Sequence, residues 1–285
     1  PAPRPAPVPP IDRRPAQIAV TDVDRLKADP YAFYAKRILR LSPLDPVDAD
    51  PSAAWRGTAV HTILEQWAKD DACDPAALPA RAAAMLTDGR THPLMRALWQ
   101  PRLMEAIGWI ADEMTAQGAT GRRVLDVERD GRIAIAGVTL KGKFDRIDRL
   151  PDGALAVVDY KTGKPPSIAA VREGFSLQLG LLGLIAQRGG FAGIAGEARG
   201  FEYWSLSKRR GAAGGFGYIE SPVDPQRRDP IAPDDFVALA VAHFEDAAAR
   251  WLTGDEAFTA KLKPDYAPYG EYDQLMRLDE WYGRD

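Results

Sequence analysis

One cysteine in 285 residues, Cys73, excludes an intrachain disulfide and any metal cluster held by several thiolates. Histidine is nearly as scarce, with three in the chain, so a site built on several imidazoles has little to draw on. No apolar run is long enough to span a bilayer; the longest, 177–186, is broken by Gly180 and Gly183. No charged start followed by an apolar stretch opens the chain, so no secretory signal is visible and a cytoplasmic location is expected. Charge of one sign is missing too. Lys and Arg number 37 against 40 Asp and Glu, a formal net charge of −3, which excludes a protein that grips nucleic acid over its whole surface. A local basic channel stays open, because steering depends on where charge lies. No internal repeat is apparent. What is present, 46% hydrophobic and 9% aromatic residues, is ordinary for a packed core, and the length fits one large domain or one domain with a helical annex.

The first sixteen residues carry Pro at 1, 3, 5, 7, 9, 10 and 15. Such a stretch forms no core and is expected as an extended linker. With no initial methionine, it suggests a domain from the C-terminal side of a longer polypeptide; a tail on a complete small protein is the alternative. Residues 17–285 are then expected as one domain. Thr21, with Asp22 and Asp24, offers a cap and an acidic first turn for a short helix. Residues 39–51, rich in Pro and Asp, read as loop. A helix over 55–70 places Val60, Leu64 and Trp67 on one face. A helical insertion over 76–118 is expected to break at Asp88-Gly89 and at Pro101. Strands are expected over 122–128, 133–148, 155–160 and 202–207, within a core of 122–206. A helix over 175–188 stops at Gly189-Gly190, and 234–252 opens a C-terminal helical region, 233–285. Strands enclosed by helices on both sides imply an α/β fold with a central mixed sheet.

Chemistry concentrates in Lys141-Gly-Lys-Phe-Asp-Arg-Ile-Asp148 and Val157-Val-Asp-Tyr-Lys-Thr-Gly-Lys164. The connection between them carries the turn signal Pro151-Asp-Gly153, so a hairpin would bring Asp145 and Asp159 to neighbouring strands. Asp159 ends the small apolar run 154–158, where a carboxylate is costly unless it meets a cation or hydrogen-bond donors. Lys161 returns to the same strand face two residues on, whereas Asp148 faces away from Asp145 and is read as structural or solvent-facing. Two carboxylates with an ammonium nearby suit a hard divalent cation and phosphodiester chemistry. The bland readings are a strand-end carboxylate paired with Lys143 or Arg146, and a lysine in a surface ion pair. Glu128 ends the preceding strand and is a further candidate carboxylate, left open.

These motifs resemble the PD-(D/E)XK nucleases of the RecB-type branch. Arg56-Gly-Thr-Ala-Val-His61 resembles the histidine motif, Lys143-Phe-Asp-Arg-Ile-Asp148 the first acidic motif, and Asp159-Tyr-Lys-Thr-Gly163 the Asp-x-Lys motif. Gln178-Leu-Gly-Leu-Leu182 resembles Gln-x-x-x-Tyr, with Leu182 where an aromatic is usual, which puts base stacking from that position in doubt. Singly each motif is weak; the four stand in the family's order. The stretches 18–24, 29–39 and 277–281 look like the C-terminal nuclease domain of AddB, a helicase–nuclease subunit in double-strand break repair, and the likeness covers 17–285. It implies a metal-dependent DNA nuclease, an exonuclease by expectation, with Mg²⁺ or Mn²⁺ on His61, Asp145, Asp159 and the Tyr160 carbonyl. Lys161 assists catalysis and Gln178 positions Lys161 or the scissile strand. It also implies an AddA-type partner that supplies single-stranded DNA, and no membrane. Glu65, one turn from His61, either orients the imidazole or is an ordinary exposed glutamate. Arg56, Lys143, Arg146, Lys164, Lys208, Arg209 and Arg210 are candidates for phosphate contact, the last three in a glycine-rich loop equally readable as a plain hairpin tip. Many AddB relatives carry a four-cysteine iron–sulfur staple; Asp29 stands at its first position and one cysteine cannot form it. Packing by Tyr31, Phe33, Tyr34 and Trp281 is the expected substitute.

Overall fold

The computed structural model describes residues 2–42, 53–87, 93–209, 214–267 and 270–283. Strand β1 (Gln17–Ala19) leads into α1 (Val20–Ala28) and, through Asp29, into the short α2 (Pro30–Phe33). Thr21 does not cap α1: the cap position is Ala19, without a side-chain bond. Of the acidic residues expected in that turn, Asp22 accepts from Arg37 Nε at 2.7 Å and Asp24 accepts from Leu177 N at 3.0 Å.

Three helices follow, α3 (Ala53–Asp70), α4 (Leu78–Thr87) and α5 (Pro93–Ala119). The expected break at Pro101 is absent, and α5 runs through it. An interior proline forfeits a backbone bond and costs about 3 kcal/mol. Here Pro101 is exposed, and burial of Leu103, Ala106, Ile107 and Ile110 along one face of the same helix offsets the loss. The Asp88-Gly89 break lies outside the described residues.

Beyond two short strands outside the expected set, at 17–19 and 216–220, the strands differ from expectation in one place. The run 133–148 is not one strand but the turn of a hairpin between β2 (Arg123–Ile135) and β3 (Val138–Arg149). Ala136 and Gly137 both take left-handed backbone, φ 50° and 77°, the pairing a tight two-residue hairpin turn requires. Then come β4 (Leu155–Lys161), α6 (Ile168–Arg172), α7 (Gln178–Gln187), β5 (Ala198–Lys208), β6 (Phe216–Glu220), α8 (Pro233–Ala247) and α9 (Leu278–Trp281).

β3 organises the sheet. β2 pairs along one edge of it, antiparallel. The other edge is shared: β1 runs parallel to Thr139–Lys141, and β4 antiparallel to Arg146–Arg149. Gly142 to Asp145 lie between, where β1 has ended and β4 has turned away. β5 continues the sheet parallel to β4, with β6 antiparallel beyond it. Helices cover both faces. On one, α1, α7 and α8 bury Leu140, Phe144, Leu182, Phe201 and Phe244. On the other, α3, α4 and α5 bury Val60, Trp67 and Ile107 against Val158, Tyr160 and Trp204. The fold is a mixed central sheet flanked by helices. No helix among the described residues is long and apolar enough to cross a membrane.

The proline-rich start, expected as a spacer, is extended but laid against the body. Proline lacks an N–H, so the donors come from the far end of the chain: Phe258 N and Ala260 N donate to Pro7 O and Pro5 O respectively, each at 2.9 Å. Arg4 adds bonds to the carbonyls of Ala260 and Lys261 at 2.7 and 2.6 Å. The N-terminal helices hold this same C-terminal stretch. Tyr31, Ala32 and Ala35 pack on Ala260, Tyr272 and Met276 with Trp281 beside them, while Phe33 stacks on Phe258 instead. Asp29, fully buried, accepts from Ala32 N and Lys261 N and faces the Lys261 ammonium at 3.5 Å.

Candidate metal centre

The gap between β3 and β4 fixes the geometry. Arg146 and Val158 are the last paired residues, so Asp145 and Asp159 face each other on the first open rung. The chain spacing of fourteen is thus the distance around one hairpin. Tyr160 N donates to Asp145 Oδ2 at 2.7 Å and pins that carboxylate in the opening. Asp159 is almost wholly buried, and its Oδ2 has no hydrogen-bond partner. The Lys161 ammonium lies 2.7 Å from that oxygen as an ion pair, off hydrogen-bonding geometry, and donates to Gln178 Oε1 at 3.1 Å. Gln178 opens α7, whose burial against the sheet sets the height of the amide.

α3 brings His61 from the other side. Its Nδ1 stands 3.2 Å from Glu128 Oε1 and 3.5 Å from Asp145 Oδ1. Glu128 lies opposite Asp145, since Val127 pairs with Arg146 and Arg129 with Phe144. Its backbone is left-handed, φ 51°, a strained setting for a non-glycine residue, and its second carboxylate oxygen takes Lys143 Nζ at 2.8 Å. His61, Glu128 and Asp145 each offer a ligand atom within 4.8 Å of one another.

Burial and then the Asp159 charge push the Asp145 carboxyl up to about 7, against the pull of His61 and the Tyr160 N–H. Burial pushes the His61 imidazole down, but the Glu128 hydrogen bond and the charges of Asp145, Glu128 and Asp159 outweigh it and raise the pKa. Glu128 is depressed: its burial is outweighed by hydrogen bonds from His61 and Lys143. Carboxylates crowded to mutual repulsion, with one buried oxygen unbonded, fit a hard dication that takes oxygen ligands and one imidazole.

The structure therefore gathers His61, Asp145, Asp159, Lys161 and Gln178 at one place and adds Glu128. Glu128, a candidate left open in the sequence, is placed here by the register of β2 on β3, which depends on the Ala136-Gly137 turn. Glu65 does not reach the imidazole; it pairs with Lys69 at 2.5 Å on the helix surface. Leu182 is buried against Gly142, so no base meets it there.

Among the proposed phosphate contacts, Arg146 is a correction. It is 1% exposed, donates to Tyr160 Oη at 2.5 Å and to Asp148 at 3.1 Å, and lies 4.1 Å over the Trp204 ring. Arg122 joins it, bridging Asp148 and Glu202 at 2.7 and 2.8 Å. Asp148 is structural, not solvent-facing. Residues 146 and 148 share a strand face opposite that of Asp145, and that face is core. Lys143 is half-exposed and held by Glu128, while Lys164 and Lys208 are exposed. Arg209 bonds Ile219 O at 3.1 Å and sits 4.8 Å over Tyr218. The Arg56 side chain and Arg210 lie outside the described residues.

The family model for the PD-(D/E)XK nuclease superfamily matches residues 17–265, most of the chain and every residue of this centre. The chain belongs to the PD-(D/E)XK nuclease superfamily. A PD-(D/E)XK assignment accounts for paired acids beside an Asp-x-Lys lysine at a strand divergence. An uncharacterized protein of Rickettsia bellii is 28% identical over 61% of this chain and 22% of its own length. Two streptococcal proteins, each named as a subunit of an ATP-dependent helicase/deoxyribonuclease, are similar over shorter stretches. That of Streptococcus equi subsp. zooepidemicus is 32% identical over 52% of this chain and 14% of its own. That of Streptococcus mutans is 26% identical over 54% and 15%. The chain thus spans well under a quarter of the length of these relatives. A solved structure from Eubacterium rectale, 10% identical with a TM-score of 0.41 over 82% of this chain and 79% of that one, is only a loose likeness.

Proposed function

We propose that this PD-(D/E)XK domain hydrolyses phosphodiester bonds in single-stranded DNA with a divalent metal ion. The observation that carries the reading is the open rung of Asp145 and Asp159, with a buried carboxylate oxygen held only by the Lys161 ion pair and His61 across from it. His61, Asp145, Asp159 and the Tyr160 carbonyl would hold Mg²⁺ or Mn²⁺, and Glu128 completes the oxygen set. A dication bound there supplies an acidified water and neutralises charge on the phosphate. Lys161, steadied between Asp159 and Gln178, orients that water or faces the charge that builds on the phosphate oxygens. Glu128 lies against His61 Nδ1 and is held by Lys143, so the imidazole and both carboxylates converge on one space.

The wider role follows from the relatives named as helicase/deoxyribonuclease subunits. In this reading the chain is the nuclease part of an AddB-like subunit, an exonuclease acting on strands that an AddA-type helicase unwinds during break repair. The test is cleavage of labelled single-stranded DNA in Mg²⁺ and in Mn²⁺. Asp159→Ala should cut at least a thousandfold more slowly, about 4 kcal/mol of barrier. Equal rates for that variant and the parent sink the proposal. Failure to take up Mn²⁺ in a calorimeter would assign the fold to a silent DNA-binding scaffold instead.

A further inference from the structure

Next to the metal centre, where α5 meets β5 and β6, lies a pocket of about 170 Å³. Two of its lining residues are immediate neighbours of the candidate catalytic groups: Val60 precedes His61 on α3, and Thr162 follows Lys161 at the end of β4. Trp99 and Phe216 supply half-buried aromatic rings, Arg102 an exposed guanidinium and Ser207 a hydroxyl. The aromatic wall is built rather than incidental. Phe216 N donates to Glu105 Oε1 at 3.0 Å, tying β6 to α5, and the Trp109 indole fills the space that a side chain at Gly217 would need. Phe216 pairs in the sheet with Lys208, which is exposed.

We infer that this pocket receives one unpaired nucleobase of the DNA strand whose phosphate lies at Asp145 and Asp159. The inference rests on the nuclease reading above and adds the recognition of unpaired strands to it. Flat aromatic rings suit a base face of any sequence, and a guanidinium beside them suits the ring by stacking and the neighbouring phosphate by charge. The volume takes a single ring system, and a base inside a duplex cannot leave its stack to enter without first unpairing. A strand crossing the open end of the sheet would set a phosphate between β3 and β4 and the adjoining base behind Thr162. The pocket therefore makes the site selective for single strands at a fixed offset from the bond being cut.

The first arm of the test uses the unmodified chain. Single-stranded oligonucleotides carrying one stable abasic analogue are cut by the unmodified chain in Mn²⁺, and the rate is read at every phosphate. The expected result is one slow position, about tenfold below its neighbours, at a constant offset from the missing base and moving with it along the strand. In Trp99→Ala that dip should disappear, and Trp99→Phe should restore it; a melting curve establishes that each variant is folded. Cleavage with no dip in the unmodified chain overturns the pocket while leaving the nuclease reading intact. A dip that persists in both Trp99→Ala and Phe216→Ala places the base elsewhere and also overturns it. No cleavage at any phosphate in either metal sinks the nuclease reading, and this inference with it.

Discussion

Asp145 is the residue on which metal and proton compete. Burial and the Asp159 charge push its carboxyl up to about 7, so below that pH a proton occupies the oxygen that should bind the ion. Mn²⁺ affinity is expected to fall by at least about tenfold for each pH unit below 7, because the protons on Asp145 and on the His61 imidazole, whose pKa is raised, must both leave before the ion binds. Calorimetry in two buffers of different ionisation heat should show about one to two protons released at pH 6 and fewer at pH 8.5. Equal affinity at both pH values would refute the assignment. Arg146 is the opposite kind of residue, charged and buried for structure alone. Arg146→Met removes the cation between Asp148 and Glu202 and leaves buried carboxylate charge facing Arg122 alone. A cost of about 3–5 kcal/mol is expected in urea unfolding. Loss of DNA affinity with unchanged stability would restore the phosphate-contact reading.

At the scale of elements, the site depends on how closely α7 lies on the sheet. A Cβ at Gly142 would sit 2.7 Å from Leu182 Cδ2 and 2.9 Å from Ile185 Cδ1, so glycine lets the helix settle onto β3 just ahead of Asp145. Gly142→Ala should cost about 1–3 kcal/mol by overpacking. Because Gln178 rides on α7 and holds Lys161, the same change should slow cutting more than it weakens DNA binding. Combining it with Leu182→Ala should cost less than the sum of the two, a coupling expected between residues in contact. Strict additivity in the double-mutant cycle would argue against this packing.

For the molecule as a whole, the two ends of the chain are tied together. Residues 2–9 accept from Phe258 and Ala260 and donate through Arg4 to Ala260 and Lys261, while Asp29 and Tyr31 hold the same C-terminal stretch from α1 and α2. Removing residues 1–9 deletes five such bonds, counting that from Ala2 N to Glu280, and the bond from Arg14 Nε to Pro9 O, each worth about 0.5–1.5 kcal/mol net. The truncated chain should lose about 3–9 kcal/mol of stability and become open to protease near residues 258–283. An unchanged melting temperature would mean that this segment only rests on the surface.

The sequence alone determined the fold class and the acid–acid–lysine core, because periodicity, a turn signal and motif order are local properties of the chain. Asp145, Asp159 and Lys161 were legible for that reason: one hairpin brings them together, and their spacing is the hairpin's length. Arg146 could have been placed by the strand parity that already put Asp148 on the face away from Asp145. Other features needed the tertiary structure. The turn at Ala136-Gly137 lacks the usual Asn-Gly or Asp-Gly, and its trace in the sequence is a phase slip between Ile135 and Val138. Pro101 obeys packing along α5 rather than its own preference. Glu128 meets His61 only because α3 packs on β2, 67 positions along the chain, and the pocket of Trp99 and Phe216 joins residues 117 positions apart. Contacts of that separation are decided by which surfaces bury one another, and no local signal carries that information.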